Sequence, residues 1–229
     1  MSSNFTNNVI KCLNLASDMD FLAQAGASSS LNASVEFKKM SRRATSYQEL
    51  YNEGVKFQDF NIMLTDNSFF QFTEKKADED VRLAYYPNPY KFVEYLQERK
   101  EALSMLDSNE LSLPEYEQLM TECNTKGDVP LIRYDLSVDQ HCKKYHPAAH
   151  FHIGFHTENR WAVNRVLTPY AFFLKILIHY YPSLWFDFGD RGDELDNILD
   201  LKYREELSRC SLLSNQYFLD IEKDRLHFT

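Results

Sequence analysis

Glycine is scarce in this chain, with 6 residues in 229 against an average usage of ~7%. That leaves no glycine-rich phosphate loop, and no repeat with a period of 20–50 residues is visible. The four cysteines, Cys12, Cys123, Cys142 and Cys210, are scattered without CxxC spacing. Neither a disulfide frame nor a zinc ribbon is expected, and the thiols suit a reducing cytosol. The longest apolar run, Tyr170 to Tyr181, contains Lys175 and His179 and falls short of the ~20 residues of a membrane span. Met1 to Ile10 lacks the charged and apolar regions of a secretory signal. A cytoplasmic protein without a membrane partner is expected. Positive charge is the minority sign: 25 Lys and Arg face 34 Asp and Glu, for a net charge of −9. Such a surface repels a phosphate backbone at long range, which argues against a protein that coats nucleic acid. The local exception is the basic run Lys38, Lys39, Arg42 and Arg43, which reads first as a solvated segment.

What is present suits one large domain or a domain with a small appendage. Hydrophobic residues make up 44% and aromatics 14%, with 17 Phe and 14 Tyr, so a sizeable aromatic core needs no metal or disulfide staple. Val9, Ile10, Leu13 and Ala16, followed by Phe21 and Leu22, predict a helix over 5–24. Residues 26–34 read as a loop. The chain therefore divides into an N-terminal helical arm and linker, 1–34, and a single α+β domain, 35–229. Ser46 and Glu49 form a capping box, with Gly54 at a stop position. Alternating residues at 55–64, with a bulge near Gln58–Asp59, then at 68–74 and 81–85, predict an antiparallel meander. Asn88 and Pro89 open a helix with an inner stripe of Phe92, Leu96, Arg99 and Leu103. Ser112 and Glu115 open another, ending near Gly127. Strands follow at 131–136 and 149–156. Thr168 and Pro169 begin a helix, apolar on nearly every side, that reads as the central buried one. A charged helix at 193–209 and a hairpin over Tyr217, Leu219, Ile221, Leu226 and Phe228 complete the chain. Strands do not alternate singly with helices, so the class is α+β: an antiparallel meander packed against a central buried helix, with an N-terminal helical arm.

The chemistry-bearing residues lie on two of these strands. In Leu131-Ile132-Arg133-Tyr134-Asp135-Leu136, alternation gives Ile132, Tyr134 and Leu136 to the core and Arg133 and Asp135 to the other face. In His150-Phe151-His152-Ile153-Gly154-Phe155-His156, the apolar residues share one face and the histidines the other. If the strands pair, Cβ atoms across the ladder lie ~4.5–5.5 Å apart, and Arg133, Asp135, His150 and His152 form one cluster. Two imidazoles and a carboxylate supply three ligands to a divalent metal, with a position open for water. Without a metal, one His serves as base or nucleophile and Asp135 orients it. Arg133, with Arg160 and Arg165 nearby, is placed to hold a phosphate, and Gly154 leaves room for substrate. The plain reading stands beside these: the open face of an antiparallel strand is polar by default, and the cluster is then a solvated or cross-paired surface. A partner-binding surface is the third possibility. His146 reads as a loop residue.

Other signals resolve into ordinary roles. The acids Asp187, Asp190, Asp193, Glu194 and Asp196 resemble a calcium loop, but Ile198 stands where its closing Glu belongs. They read as helix N-terminal charge. Asp187-Phe188-Gly189 has no glycine-rich loop before it to make a kinase site. Lys175 and His179 share a helix face, as a pocket lining or a solvated rim. Trp161 and Trp185 read as anchors. The stretch from Tyr85 to Tyr90 suits a packed corner or a base-stacking surface.

Three segments carry a family resemblance: Arg133-Tyr134-Asp135, His146-Pro147 through His152, and Arg165-Val166-Leu167-Thr168-Pro169 with the aromatic helix that ends Tyr180-Tyr181-Pro182. Together they resemble an uncharacterised bacterial domain-of-unknown-function family found in phage-defence and mobile-element neighbourhoods, over most of residues 45–225. The resemblance implies a defence or toxin–antitoxin setting and a protein partner from a neighbouring gene, and it assigns no reaction. The alternating histidines also resemble the histidine-triad nucleotide hydrolases, but Gly154 stands at the third histidine and that family's glycine-rich segment is absent. The expected function is a His/Asp-dependent, metal-assisted phosphodiesterase or nuclease acting on nucleic acid or nucleotide. His150, His152 and Asp135 would be its centre, and Arg133, Arg160 and Arg165 its substrate contacts. The alternative is a non-catalytic protein-binding subunit or an antitoxin-like inhibitor of a multi-protein defence complex, for which the acidic charge suits a basic partner.

Overall fold

The computed structural model describes residues 3–122, 131–142, 145–156, 158–190, 192 and 197–226, apart from the side chains of 91–96, 121–122 and 226. In chain order the elements are α1 (Ser3–Asp18), β1 (Leu22–Ala25), α2 (Val35–Arg43), α3 (Tyr47–Lys56), β2 (Ile62–Leu64), β3 (Phe69–Lys76), β4 (Asp80–Tyr86), α4 (Tyr90–Asp107), α5 (Leu113–Glu122), β5 (Ile132–Ser137), β6 (Ala149–Ile153), β7 (Trp161–Ala162), α6 (Pro169–Tyr180), α7 (Pro182–Gly189), α8 (Ile198–Arg209) and α9 (Asp220–Leu226). The chain divides into two compact units, Met1–Tyr86 with Pro130–Thr229, and Pro87–Val129. Among the described residues, no helix is long and apolar enough to cross a membrane.

The first unit is built on one sheet whose strands lie side by side in chain order, β1 to β7, every pair antiparallel. The protein is α+β, with a meander on a buried helix and a helix at the N-terminal end. Side chains alternate faces along each strand. On one face, Phe70, Phe72 and Phe151 meet Phe172 or Phe173 of α6 with ring centroids 4.9–6.3 Å apart. Those two rings, Leu174 and Leu177 are fully buried, and truncating such a Phe costs roughly 3–5 kcal/mol. Thr168 caps α6 through the Ala171 N–H and Pro169 occupies its first turn, as the sequence predicts. α1 packs on α6 with a stripe of Phe5, Val9, Cys12, Leu15 and Ala16.

The opposite face has its own apolar layer. Met63, Phe69, Ala84 and Tyr86 pack beneath Phe37 of α2 and Leu50 and Tyr51 of α3. Ser46 and Glu49 form the expected capping box of α3. A strand covered on both faces shows a near-continuous apolar run, which explains Phe69-Phe70-Gln71-Phe72. Past Ala84 this second face turns polar, with Arg82 on β4, Arg133 and Asp135 on β5, and His150 and His152 on β6.

In the second unit, Asn88 Oδ1 accepts from the Tyr90 N–H at the start of α4, and Ser112 and Glu115 bond reciprocally ahead of α5. Arg99 and Leu103 are exposed and Ala102 is buried, so the inner side of α4 is offset from the expected stripe. The side chains of Phe92 and Leu96, and the expected helix end at Gly127, lie outside the described residues, as do Cys123 and the acids Asp193, Glu194 and Asp196.

Several local expectations are corrected. The predicted helix over 5–24 ends at Asp18, because Asp20 adopts φ +50° and residues 22–25 join the sheet as β1. Gly54 does not stop α3. It lies inside the helix, where a Cβ would come within 2.6 Å of Phe69 and 3.1 Å of Phe37. Val55 therefore belongs to a helix and not to a bulged strand. The helix ends at Phe57, after which Gln58 turns at φ +54°. Among the described residues the closing hairpin does not form: residues 220–226 form α9, and Phe228 lies outside the described residues. Glu222 reaches back to accept from the Leu219 N–H at 2.7 Å, and acids in the first turn favour the helix.

Candidate metal centre

Antiparallel register brings the polar side chains together. Asp135 faces Arg82 on one neighbour and His150 on the other, and Arg133 faces His152. Tyr134, between Arg133 and Asp135, locks this facing from behind. Its buried hydroxyl donates to the Arg165 carbonyl at 2.8 Å and accepts from the Leu167 N–H at 3.2 Å. Asp135 Oδ1 accepts from Arg82 Nε and Oδ2 from Arg133 Nε, each at 2.8 Å. Nε2 of His152 lies 3.7 Å from Asp135 Oδ2 and 3.0 Å from Nε2 of His150. The histidines are not solvated, as a bare polar face would have them: His150 is 1% and His152 7% exposed. The β5–β6 connection folds back on itself through paired backbone bonds between Cys142 and His146. It sets the His146 ring 4.9 Å from that of His150.

The electrostatics follow from this packing. Burial alone would raise the Asp135 pKa, but the guanidiniums of Arg82 and Arg133 outweigh it and hold the carboxyl below its usual value. Burial and the neighbouring His152 push His150 down to about 4, so at neutral pH it is uncharged. Its Nδ1 lies 3.0 Å from the Pro147 carbonyl. A carbonyl only accepts, so Nδ1 carries the proton and Nε2 presents a lone pair to the centre. A ligating histidine is commonly held in this way, its second nitrogen donating to a backbone carbonyl.

Asp135, His150 and His152 each offer one ligand atom, and all of these lie within 4.8 Å of one another. At metal–nitrogen bonds of ~2.0–2.1 Å, ligand atoms at right angles stand about 3.0 Å apart, the spacing of the two Nε2 atoms. Two imidazoles and a carboxylate suit a first-row divalent ion and leave coordination positions open. Among the described residues, His146 Nδ1 is also buried without a hydrogen-bond partner at the rim of this centre.

The structure does not bring every expected residue here. Arg165 stands on the α6 side of the sheet, where its Nη1 donates to the carbonyls of Leu207 and Cys210 at the end of α8. Arg160 is exposed, one residue before β7, and its Nη1 donates to the Glu158 carbonyl. His156 is turned away by Gly154 (φ +102°) and its own φ of +51°, and it donates to the Ala44 carbonyl at 2.8 Å. Gly154 thus makes the turn that ends β6. Trp185 is a buried anchor bonded to Asp200, and Tyr85 and Tyr86 are core residues. Sequence reasoning missed Arg82, whose signal was its place between Val81 and Leu83 on the polar side of β4.

An antiparallel meander whose buried polar face gathers two imidazoles and a carboxylate beside two guanidiniums defines the class of protein. Residues 19–229 match the DUF2290 family of uncharacterised conserved proteins, and the chain belongs to that family. No curated protein and no solved structure matches it.

Proposed function

We propose that Asp135, His150 and His152 hold a divalent metal ion, and that the protein is a metal-assisted phosphodiesterase acting on nucleic acid or nucleotide within a bacterial defence or toxin–antitoxin system. The observation that carries this reading is the convergence of three ligand atoms within 4.8 Å, with the His150 tautomer already set by Pro147. An ion held by these three residues would supply Lewis-acid polarisation of a phosphoryl oxygen and would acidify a bound water. Asp135 anchors the carboxylate side. Arg82 is 55% exposed and marks the open side of the centre, where its charge and that of Arg133 attract a phosphate. Arg160, exposed one residue before β7, would add to that charge. Arg165 has no part in this reading. The test is hydrolysis of bis(p-nitrophenyl) phosphate by the purified chain with Mn²⁺, Zn²⁺ or Mg²⁺. Turnover that depends on metal and disappears in a folded His152→Ala variant supports the reading; turnover retained in that variant contradicts it.

The second reading is a non-catalytic protein-binding subunit or antitoxin-like inhibitor. It draws on both Asp135 oxygens already accepting charged hydrogen bonds, a network that holds without a metal. Co-purification with the product of a neighbouring gene, from a protein free of bound metal, would favour it.

A further inference from the structure

The basic run at 38–43 sits on the same face of the sheet as the metal centre. α2 buries Phe37 against Tyr86 of β4. Ala84, in the same apolar cluster, is the cross-strand partner of Arg133. The end of α2 is tied to the end of β6 by the His156–Ala44 bond. His156 is four residues from His152, and four Cα steps of ~3.8 Å plus the His156 side chain and its bond to Ala44 keep the end of α2 within roughly 25 Å of the His152 backbone.

Lys38, Lys39, Arg42 and Arg43 are all exposed. At 100° per residue they cover one side of α2, away from buried Phe37 and half-buried Met40. Lys38 bonds to the Asn32 side-chain oxygen. Among the described residues, no carboxylate pairs with any of the four. Lys38–Arg42 and Lys39–Arg43 are like-charge pairs at i,i+4, which destabilise a helix by a few tenths of a kcal/mol each. Arg42 and Arg43 gain from the helix dipole in the last turn; the two lysines do not. In a chain of net charge −9, a cationic face with no carboxylate partner among the described residues calls for an anionic partner.

We propose that the exposed face of α2 binds the phosphodiester backbone of a polynucleotide and leads it toward the Asp135–His150–His152 centre. This deepens the phosphodiesterase reading, taking the substrate class from it and selecting the polymer over the single nucleotide. The long-range repulsion of an acidic protein is consistent with this. It disfavours general coating, and a short local track confines contact to the strand being processed.

The experiment uses the full chain and fluorescein-labelled DNA and RNA strands of about 20 nucleotides, single and duplex. Fluorescence anisotropy is read across salt from about 50 to 200 mM, for wild type and for a K38Q/K39Q/R42Q/R43Q variant whose circular dichroism matches wild type. Each lost phosphate contact lowers the log–log salt slope by about 0.7–0.9, so the variant should lose about three units of slope and bind at least tenfold more weakly. Variants changed only at the lysines or only at the arginines should each lose about half that slope. Equal binding by wild type and variant overturns the inference, as does an absence of binding by wild type. Equal competition by poly-glutamate overturns it in favour of an acidic protein partner. Metal content is measured on the same preparations. Metal-loaded protein that binds no strand overturns this inference alone, whereas α2-dependent binding by metal-free protein upholds it and counts against the metal reading.

Discussion

Replacing Asp135 by asparagine keeps the side chain's shape and removes its charge. In the native chain both carboxylate oxygens accept from guanidinium Nε atoms at 2.8 Å, and the side chain is 13% exposed. A hydrogen bond to a charged group contributes about 1.5–3 kcal/mol when shielded, and less where water reaches the pair. Arg133 is 30% and Arg82 55% exposed, so the first bond should be worth about 1.5 kcal/mol and the second about 1 kcal/mol. Asparagine retains one good acceptor, which leaves an expected loss of about 1–2 kcal/mol. For a chain of this size that lowers Tm by about 2–8 °C. Urea denaturation should show a lower midpoint with unchanged slope, because the loss lies in the native state. A double-mutant cycle with Arg133→Ala should return a coupling of at least about 0.5 kcal/mol. A change below about 0.5 kcal/mol, with additive effects in the cycle, would refute the claim that Asp135 organises this cluster.

Burial of neutral His150 makes stability depend on pH. Its pKa is pushed down from 6.5 to about 4, so below pH 6.5 the unfolded chain takes up a proton that the folded chain refuses. Stability should be full above that value and decline as the pH falls toward 4, by about 2 kcal/mol after allowance for solvent screening. Urea midpoints of wild type and His150→Phe between pH 7 and 4.5 should diverge in that sense. Tyr134→Phe strands a buried N–H and carbonyl bonded at 3.2 and 2.8 Å and should cost about 1–3 kcal/mol in denaturant titration. Gly54→Ala forces a methyl to 2.6 Å from Phe69. Overpacking of about 1–3 kcal/mol outweighs the ~1 kcal/mol helix gain, so its Tm should fall.

The sequence carried the class of fold and most of the site, for identifiable reasons. Strict alternation in Ile132–Leu136 and His150–Ile153 placed Asp135 and the histidines on one face, and the observed register bears that out. Thr168-Pro169 and Ser46–Glu49 are local capping signals and form as read. Nonlocal features were hidden. Arg82 meets Asp135 only because β4 pairs with β5 across the intervening unit of residues 87–129, a register that no local pattern encodes. The burial of the histidines depends on how the β5–β6 connection folds back, and its Cys142–His146 bridge has no sequence signature. Arg165 looked like an anion ligand by proximity in sequence, yet the Tyr134–Arg165 bond places it across the sheet. At 217–226 a period-two apolar pattern yielded to a side-chain cap, Glu222 on the Leu219 N–H.

Isothermal titration of the metal-stripped chain with Zn²⁺ and Mn²⁺ at neutral pH, alongside His150→Ala, His152→Ala and Asp135→Asn variants, tests the proposed centre most directly. A single site per chain, weakened at least tenfold by each histidine substitution and by Asp135→Asn, is the expected result. Binding that is absent in wild type, or unchanged when both histidines are removed, would contradict a metal centre at this cluster.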